Sequence, residues 1–447
     1  MSLLSNLLEV SLQLNELNGE ISLGFLEKFI GILIGAVGIT GLGIIIYCLI
    51  LKAVTLPLDI WQKASMRSQS LKMEQMRGQL EKLQKQYQNQ PELYQKKMQE
   101  VYRQNNYSLL ASCLPMLATL LILIFAFQSL TTYSQYRNLT IYTDMNAAYN
   151  QAILSHYDET VAELEEIGSD GITYVIKRNT AENDKEHYVY SRINKDVPSQ
   201  VEYYLDVEKM LAANPSLKGA TDAESEANCR AALEKEGAQA AAASYQAGKN
   251  NQGFSFLWVK NIYYPDVAWA NPLQNYKSFT GAITREIVKE DGSKVKIADF
   301  IDETTYNKIT SELVEEKSTP NGFFILVALT ILVNLGSQFI TMRSQKAQRE
   351  LQTADKSQES MQKWMMFLMP VLFTVFAFIY SGAFSLYLIT SSLFSLLSTL
   401  VINRIIDARF KSKAAKAAET TQKGRVNLTR DWQKNDELKN KKNNKNK

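Results

Sequence analysis

The chain has 447 residues, 46% hydrophobic and 21% charged, and its 49 basic and 46 acidic side chains leave a formal net charge of +3. The charge is unevenly spread: none falls between Lys28 and Lys52, Arg103 and Arg137, Lys317 and Arg343, or Lys363 and Arg404, and about 20 apolar residues suffice for a helical membrane span. A wholly soluble chain is excluded; three cysteines argue against a disulfide scaffold, and with only two histidines no metal site, cofactor or enzymatic activity is expected.

Residues 1–38 form an N-terminal segment ending in an amphipathic helix that suits the membrane interface, with Leu26, Phe29, Ile30, Leu33 and Val37 on one face and Glu27 and Lys28 opposite. A break is expected near Gly35 and Gly38, and the first span is 39–58, ended by Pro57. Residues 59–106 are polar but helix-forming. Met73, Met76, Leu80, Leu83 and Tyr87 recur at heptad spacing, and Asn89-Gln90-Pro91 interrupts. Tyr94, Met98, Val101 and Tyr102 then mark a second helix, so the pair reads as an antiparallel hairpin. One reading of it is a plain connector. The other gives Met73, Met76, Leu80, Leu83 and Met98 a receiving role, because methionine adapts to varied apolar partners.

The second span is 107–131, and residues 132–252 read as an α+β insertion. Within it, strands are expected at Ile172–Ile176 and His187–Tyr190, and helices at Glu202–Leu211 and Asp222–Ala242. It shows no nucleophile–base pair. Residues 253–320 form a membrane-proximal outer segment whose aromatic run Phe254–Val259 and Tyr263-Tyr264 suits an interface belt. The third span is 321–342, followed by a loop at 343–362. The charge-free stretch after Lys363 suits two more spans, 363–381 and 383–405, turning at Ser381-Gly382, before a basic tail at 406–447. The expected fold class is an all-α polytopic membrane protein: a five-helix transmembrane core with a cytoplasmic helical hairpin, plus an extracytoplasmic α+β insertion.

Lysine and arginine counts orient the spans. The balance is +4 over 53–106, +2 over 343–363 and +9 over 404–447, but −10 over 134–320. With five spans the three positive segments share one side, the cytoplasm, while the N-terminus and residues 132–320 face outward, in a bacterial plasma membrane. No cleaved signal peptide is expected.

Lys52 lies inside the first span, roughly 9 Å from its end at Leu58. A lysine at mid-depth costs about 2.5–3.5 kcal/mol, less where it can snorkel. It is therefore either a snorkelling anchor or a cation lining a wet cavity. Asn334, Gln338 and Thr341 share one face of the third span, and Thr390, Ser391, Ser395 and Ser398 a stripe of the fifth. Such stripes commonly act as packing glue; together with Lys52 they suggest a polar groove.

The sequence Leu51-Lys52-Ala53-Val54-Thr55-Leu56-Pro57-Leu58, the charged hairpin, and Ser112-Cys113-Leu114-Pro115 resemble the core of the YidC family of membrane protein insertases. So do Met369-Pro370-Val371-Leu372-Phe373-Thr374, Ser381-Gly382-Ala383, Leu386-Tyr387 and Asn403-Arg404, in the right order. The resemblance covers about 23–133 and 253–410. It implies a five-helix core with a hydrophilic groove open to cytoplasm and lipid but closed outside, with Lys52 as the groove cation and Phe376 and Tyr387 as groove contacts. The expected substrate groove is thus Lys52, Asn334, Gln338, Phe376, Tyr387 and Thr390. The implied partners are nascent membrane proteins, membrane lipids, the ribosome (through the basic tail), signal recognition components and the Sec translocon. Three features depart from the family pattern: lysine replaces the usual groove arginine, the outer segment between spans two and three is long, and the lipid-anchor cysteine of many Gram-positive relatives is missing. The competing readings are a small-solute transporter or channel, and a receptor whose outer domain binds a ligand.

Overall fold

The computed structural model describes residues 23–344, apart from gaps at 108–109, 157–161, 169–170, 179–187, 197–200, 252, 285–286, 289–293 and 300, and then 368, 371–406, 408–409 and 412. The 343–362 loop beyond Ser344, the start of the expected fourth span, His187 and the tail beyond 412 lie outside the described residues. The helices Thr40–Gln86 and Gly382–Ile406 carry apolar stretches long enough to cross a bilayer, and Ile325–Thr341 is a shorter apolar helix. The chain divides into two compact units. Unit one takes the chain up to Leu49, Leu123–Leu332 and Met369–Thr390; unit two takes Ile50–Ile122, Val333–Leu368 and the chain from Ser391 on.

In unit one the first described helix, Phe25–Val37, stops at Gly38, whose φ of 74° is the left-handed conformation that glycine adopts without strain. Gly35 stays inside the helix. Of the expected apolar face, Ile30 is buried and Leu26, Phe29, Leu33 and Val37 are half-buried, but Glu27, expected opposite, is buried as well, with Ile34; Phe25 is 82% and Ile32 67% exposed. Glu27 sits in the first turn, where unpaired N–H groups favour a carboxylate. Apolar side chains turned outward carry no penalty against lipid.

The Leu110–Leu154 helix runs on past Thr131, the expected end of span two. No glycine or proline follows Pro115 within it, and a regular row of buried side chains (Leu130, Tyr133, Tyr142, Met145, Tyr149, Ile153) continues to its end. Against it packs Asp222–Asn251, likewise longer than the expected 222–242, with the Ser244 hydroxyl donating to the Asp144 carbonyl at 3.3 Å.

Four antiparallel strands form one meander in the order β1-β2-β3-β4: β1 Ala162–Ile167, β2 Thr173–Arg178, β3 Val189–Asn194 and β4 Val201–Leu205. β1 and β4 were not expected. The helix anticipated from Glu202 begins only at Val207, capped by Asp206, whose carboxylate accepts from the Lys209 N–H at 2.9 Å. The run Val-Glu-Tyr-Tyr-Leu instead pairs with β3, Val189 opposite Leu205 and Tyr190 opposite Tyr204, as β-branched and aromatic residues prefer.

The helix Thr40–Gln86, in unit two from Ile50 onward, continues through Pro57. Proline removes one donor, a small loss in a helix this long. The second hairpin helix, Pro91–Gln104, starts at the proline that ends the first arm's turn. Met73, Met76 and Leu80, each 1% exposed, close on Tyr102, with Met98, Val101 and Tyr107 packed around them. Leu83 is half-buried. The seam therefore fills the hairpin's own core, at about 1.5–3 kcal/mol per large apolar side chain buried.

Candidate functional site

Of the expected groove residues, unit two holds Lys52, Asn334 and Gln338. On the Thr40–Gln86 helix, Lys52 and Thr55 face inward: Lys52 is partly buried, Thr55 is 9% exposed, and the Thr55 hydroxyl donates to the Lys52 carbonyl at 3.2 Å. Among the described residues the Lys52 ammonium makes no ion pair. The opposite face carries Val54 at 72%, Ile60 at 41% and Trp61 at 50% exposure. Asn334, 8% exposed, accepts a hydrogen bond from the Ser392 hydroxyl at 2.7 Å, pinning Ile325–Ser344 to Gly382–Ile406. Gln338 is partly buried on the same side. Beside these polar groups the helices turn Leu332, Phe339, Leu397 and Val401 outward. Polar side chains inside and apolar ones outside invert the pattern of a soluble protein, and suit a helix group solvated by lipid.

Unit one holds Phe376, Tyr387 and Thr390. Phe376 stacks on Phe127 with centroids 5.8 Å apart, and Phe127 meets Tyr380 and Phe384 edge-on at 4.5 and 4.8 Å. Tyr387 is 3% exposed, its ring 6.4 Å from Phe384, and its carbonyl accepts from the Cys48 thiol at 3.6 Å. The Thr390 hydroxyl turns back to the Leu386 carbonyl at 2.9 Å. Tyr47 and Ser129 share a hydrogen bond of 2.9 Å, and the Ser134 hydroxyl donates to Ser381 at 3.2 Å.

Beyond this aromatic layer, unit one is tied by a buried polar knot that sequence reasoning missed. The Asn321 side chain accepts from the Asn261 N–H at 2.8 Å and donates to the carbonyls of Asn261, Tyr264 and Pro265. Asp266, fully buried, accepts from the Phe323 N–H at 2.9 Å and the Leu326 N–H at 2.5 Å. Its carboxylate thus caps Ile325–Ser344, so residues 321–324, expected inside span three, stay outside the helix. Gly322 is required here, since a Cβ would collide with Asp266. The N–H groups of Gly382 and Ala383, free at a helix start, are taken by the carbonyls of Tyr264 and Ile262 at 2.9 Å. The available signal was that Asp266 is the lone acid between Glu236 and Glu286, set among aromatics.

Nothing in the described part suggests bond-making chemistry. Among the described residues no three histidine, cysteine or acidic side chains gather as metal ligands. Burial pushes the hydroxyls of Tyr142, Tyr245 and Tyr306 well above the usual phenol range, keeping them neutral. Lys63, one turn beyond Asp59, is partly buried; desolvation lowers its pKa, opposed by the Asp59 charge and reinforced by that of Lys52.

The family described as 60Kd inner membrane protein matches residues 32–176 and 245–409, well over half of the chain. The chain is 36% identical over 80 residues to a protein named membrane protein insertase YidC from Clostridium perfringens, covering 18% of this chain and 32% of that protein. A protein of the same name from Fusobacterium nucleatum is 33% identical over 106 residues, covering 23% of this chain and 50% of that one. Another from Enterococcus faecalis is 34% identical over 98 residues, 21% of this chain and 34% of that protein. The chain therefore spans between a third and a half of the length of these curated relatives. No solved structure matches it. By the extent of the family match, and in keeping with the lipid-facing exterior of its helices, the protein belongs to the 60Kd inner membrane protein family, that of YidC.

Proposed function

We propose that the protein is a membrane protein insertase, moving hydrophobic segments of nascent proteins from the cytoplasm into the bilayer through a polar groove. The observation that carries this reading is Lys52, turned inward and making no ion pair among the described residues, on a helix whose opposite face, with Val54 and Trp61, is apolar and exposed. A snorkelling anchor would reach for the headgroups instead. A carboxylate at the bilayer centre costs about 2.5–3.5 kcal/mol. A cation about 4 Å away at an effective dielectric constant of ~20 returns about 4 kcal/mol. One groove cation can therefore offset one passing acidic residue. The client's apolar span then drives release, at roughly 0.3–0.6 kcal/mol per large apolar residue.

In this reading five spans form the core, with the groove made by Lys52, Asn334, Gln338, Phe376, Tyr387 and Thr390. The hairpin and the basic tail face the cytoplasm, where they receive ribosomes, signal recognition components or Sec-bound chains. Residues 132–320 lie outside. Thiol-reactive, membrane-impermeant label applied to intact cells should modify cysteines placed in 132–252 and spare those in 60–105; the reverse pattern would overturn the orientation. Photocrosslinkers at Gln338 and Thr390 should capture nascent membrane proteins in transit. Capture of a small solute instead would favour a transporter and sink the insertase reading.

A further inference from the structure

Lys52, Asp59 and Lys63 stand at positions i, i+7 and i+11 of one uninterrupted helix. At 100° per residue these three positions fall within about 40° of one another. All three are partly buried, whereas Val54, Pro57, Ile60 and Trp61 between them are exposed. Below them the same face carries Ser70 and, about 60° round, Met73, buried at 0% and 1% exposure, so the stripe leads into the hairpin core. The charges of Lys52 and Asp59 both act on Lys63, yet among the described residues neither lysine closes an ion pair. Two partly buried cations that close no ion pair among the described residues, lined up along the path the insertase reading gives a client, have an arrangement that neither packing nor anchoring needs.

We propose that Lys63, with Asp59 beside it, is a second station of the groove: the first cation an acidic client segment meets, ahead of Lys52. The proposal rests on the insertase reading. Lys63 lies about 16 Å further toward the cytoplasm along the helix axis, a distance that about five residues of extended client chain cover. Asp59 has a defined part in it. Its charge competes with the client's carboxylate for Lys63, so a client is held loosely there and passes on to Lys52, which has no acidic neighbour on the same turn. The substrate class so selected is a hydrophobic segment led or followed by aspartate or glutamate.

The test uses the full-length protein in proteoliposomes, with ribosome-bound chains of a single-span client whose outer segment carries aspartates or, in the same places, asparagines. Photocrosslinkers at Leu56 and Met66 stand one turn on the cytoplasmic side of Lys52 and Lys63, on the same face. Capture at Met66 should begin with chains about five residues shorter than capture at Leu56. Lys63→Gln should lower the ratio of aspartate to asparagine client insertion about fivefold, a usual size for a partly screened ion pair, and Lys63→Arg should restore it. Asp59→Asn should prolong capture of the aspartate client at Met66. If Lys63→Gln leaves the ratio unchanged while Lys52→Ala lowers it, the second station is wrong and the groove stands. Should neither substitution move the ratio, the groove reading fails, and the station with it.

Discussion

Lys52→Ala should slow insertion of clients with acidic outer segments about tenfold, equivalent to ~1.4 kcal/mol on the transfer barrier. The full Coulomb attraction in the recess is larger, but water in the groove screens part of it. Protein abundance should stay near normal, because removing a lone charge from a membrane helix is itself favourable. Lys52→Arg should insert the same clients at close to the wild-type rate, since guanidinium keeps the charge. A snorkelling anchor makes the opposite forecast: Lys52→Ala would be nearly silent. The double substitution Leu51→Lys, Lys52→Leu separates the two further. It moves the cation about 100° around the helix, which an anchor tolerates and a groove cation does not. Pulse–chase measurement of client integration reads all three variants, and normal rates in the double variant would rule out the groove assignment.

Asn321→Ala should destabilise unit one by roughly 3–5 kcal/mol. The side chain is fully buried and makes four hydrogen bonds. Its loss leaves the Asn261 N–H buried without a partner, at about 1–3 kcal/mol, and takes one of two hydrogen bonds from each of the Asn261, Tyr264 and Pro265 carbonyls, which keep a backbone N–H each. Ser318→Ala, three residues away at the exposed end of the short helix Val314–Ser318, should change stability by less than about 0.5 kcal/mol. Thermal unfolding of the purified protein in detergent, followed by protease resistance of residues 132–320, compares them. Equal midpoints for the two variants would mean that the knot does not hold unit one together. Asn321→Asp should fare no better than alanine, because it sets a carboxylate against the carbonyls of Asn261, Tyr264 and Pro265.

Much of this was legible from local pattern. The charge gaps marked the apolar helices Thr40–Gln86, Ile325–Thr341 and Gly382–Ile406. Gly38 and Pro91 punctuate the chain where their backbone chemistry requires it. Met73, Met76 and Leu80 repeat at a spacing that permits one buried seam, which is where they lie. The site was only half legible. Lys52 is conspicuous as a charge in an apolar run, but Ser392, which holds Asn334, looks like any serine of a polar stripe. The Asp59–Lys63 extension reads from sequence as part of an ordinary charged loop.

What the sequence by itself determined is the solvent of each segment and the punctuation between segments, because charge, apolar length, glycine and proline act within a turn or two of their own position. Only the tertiary structure decided which face of each helix looks inward. Glu27 was expected to face away and is buried; Val54, Ile60 and Trp61 are apolar and exposed while Lys52 and Lys63 beside them turn in. In water the hydrophobic face of a helix points to the core, so periodicity reveals orientation. In lipid that rule lapses, since the exterior is as apolar as the interior, and orientation passes to polar contacts made across long stretches of chain. Asn321 reaches Asn261 across 60 residues and Asn334 reaches Ser392 across 58, distances over which no local pattern carries information.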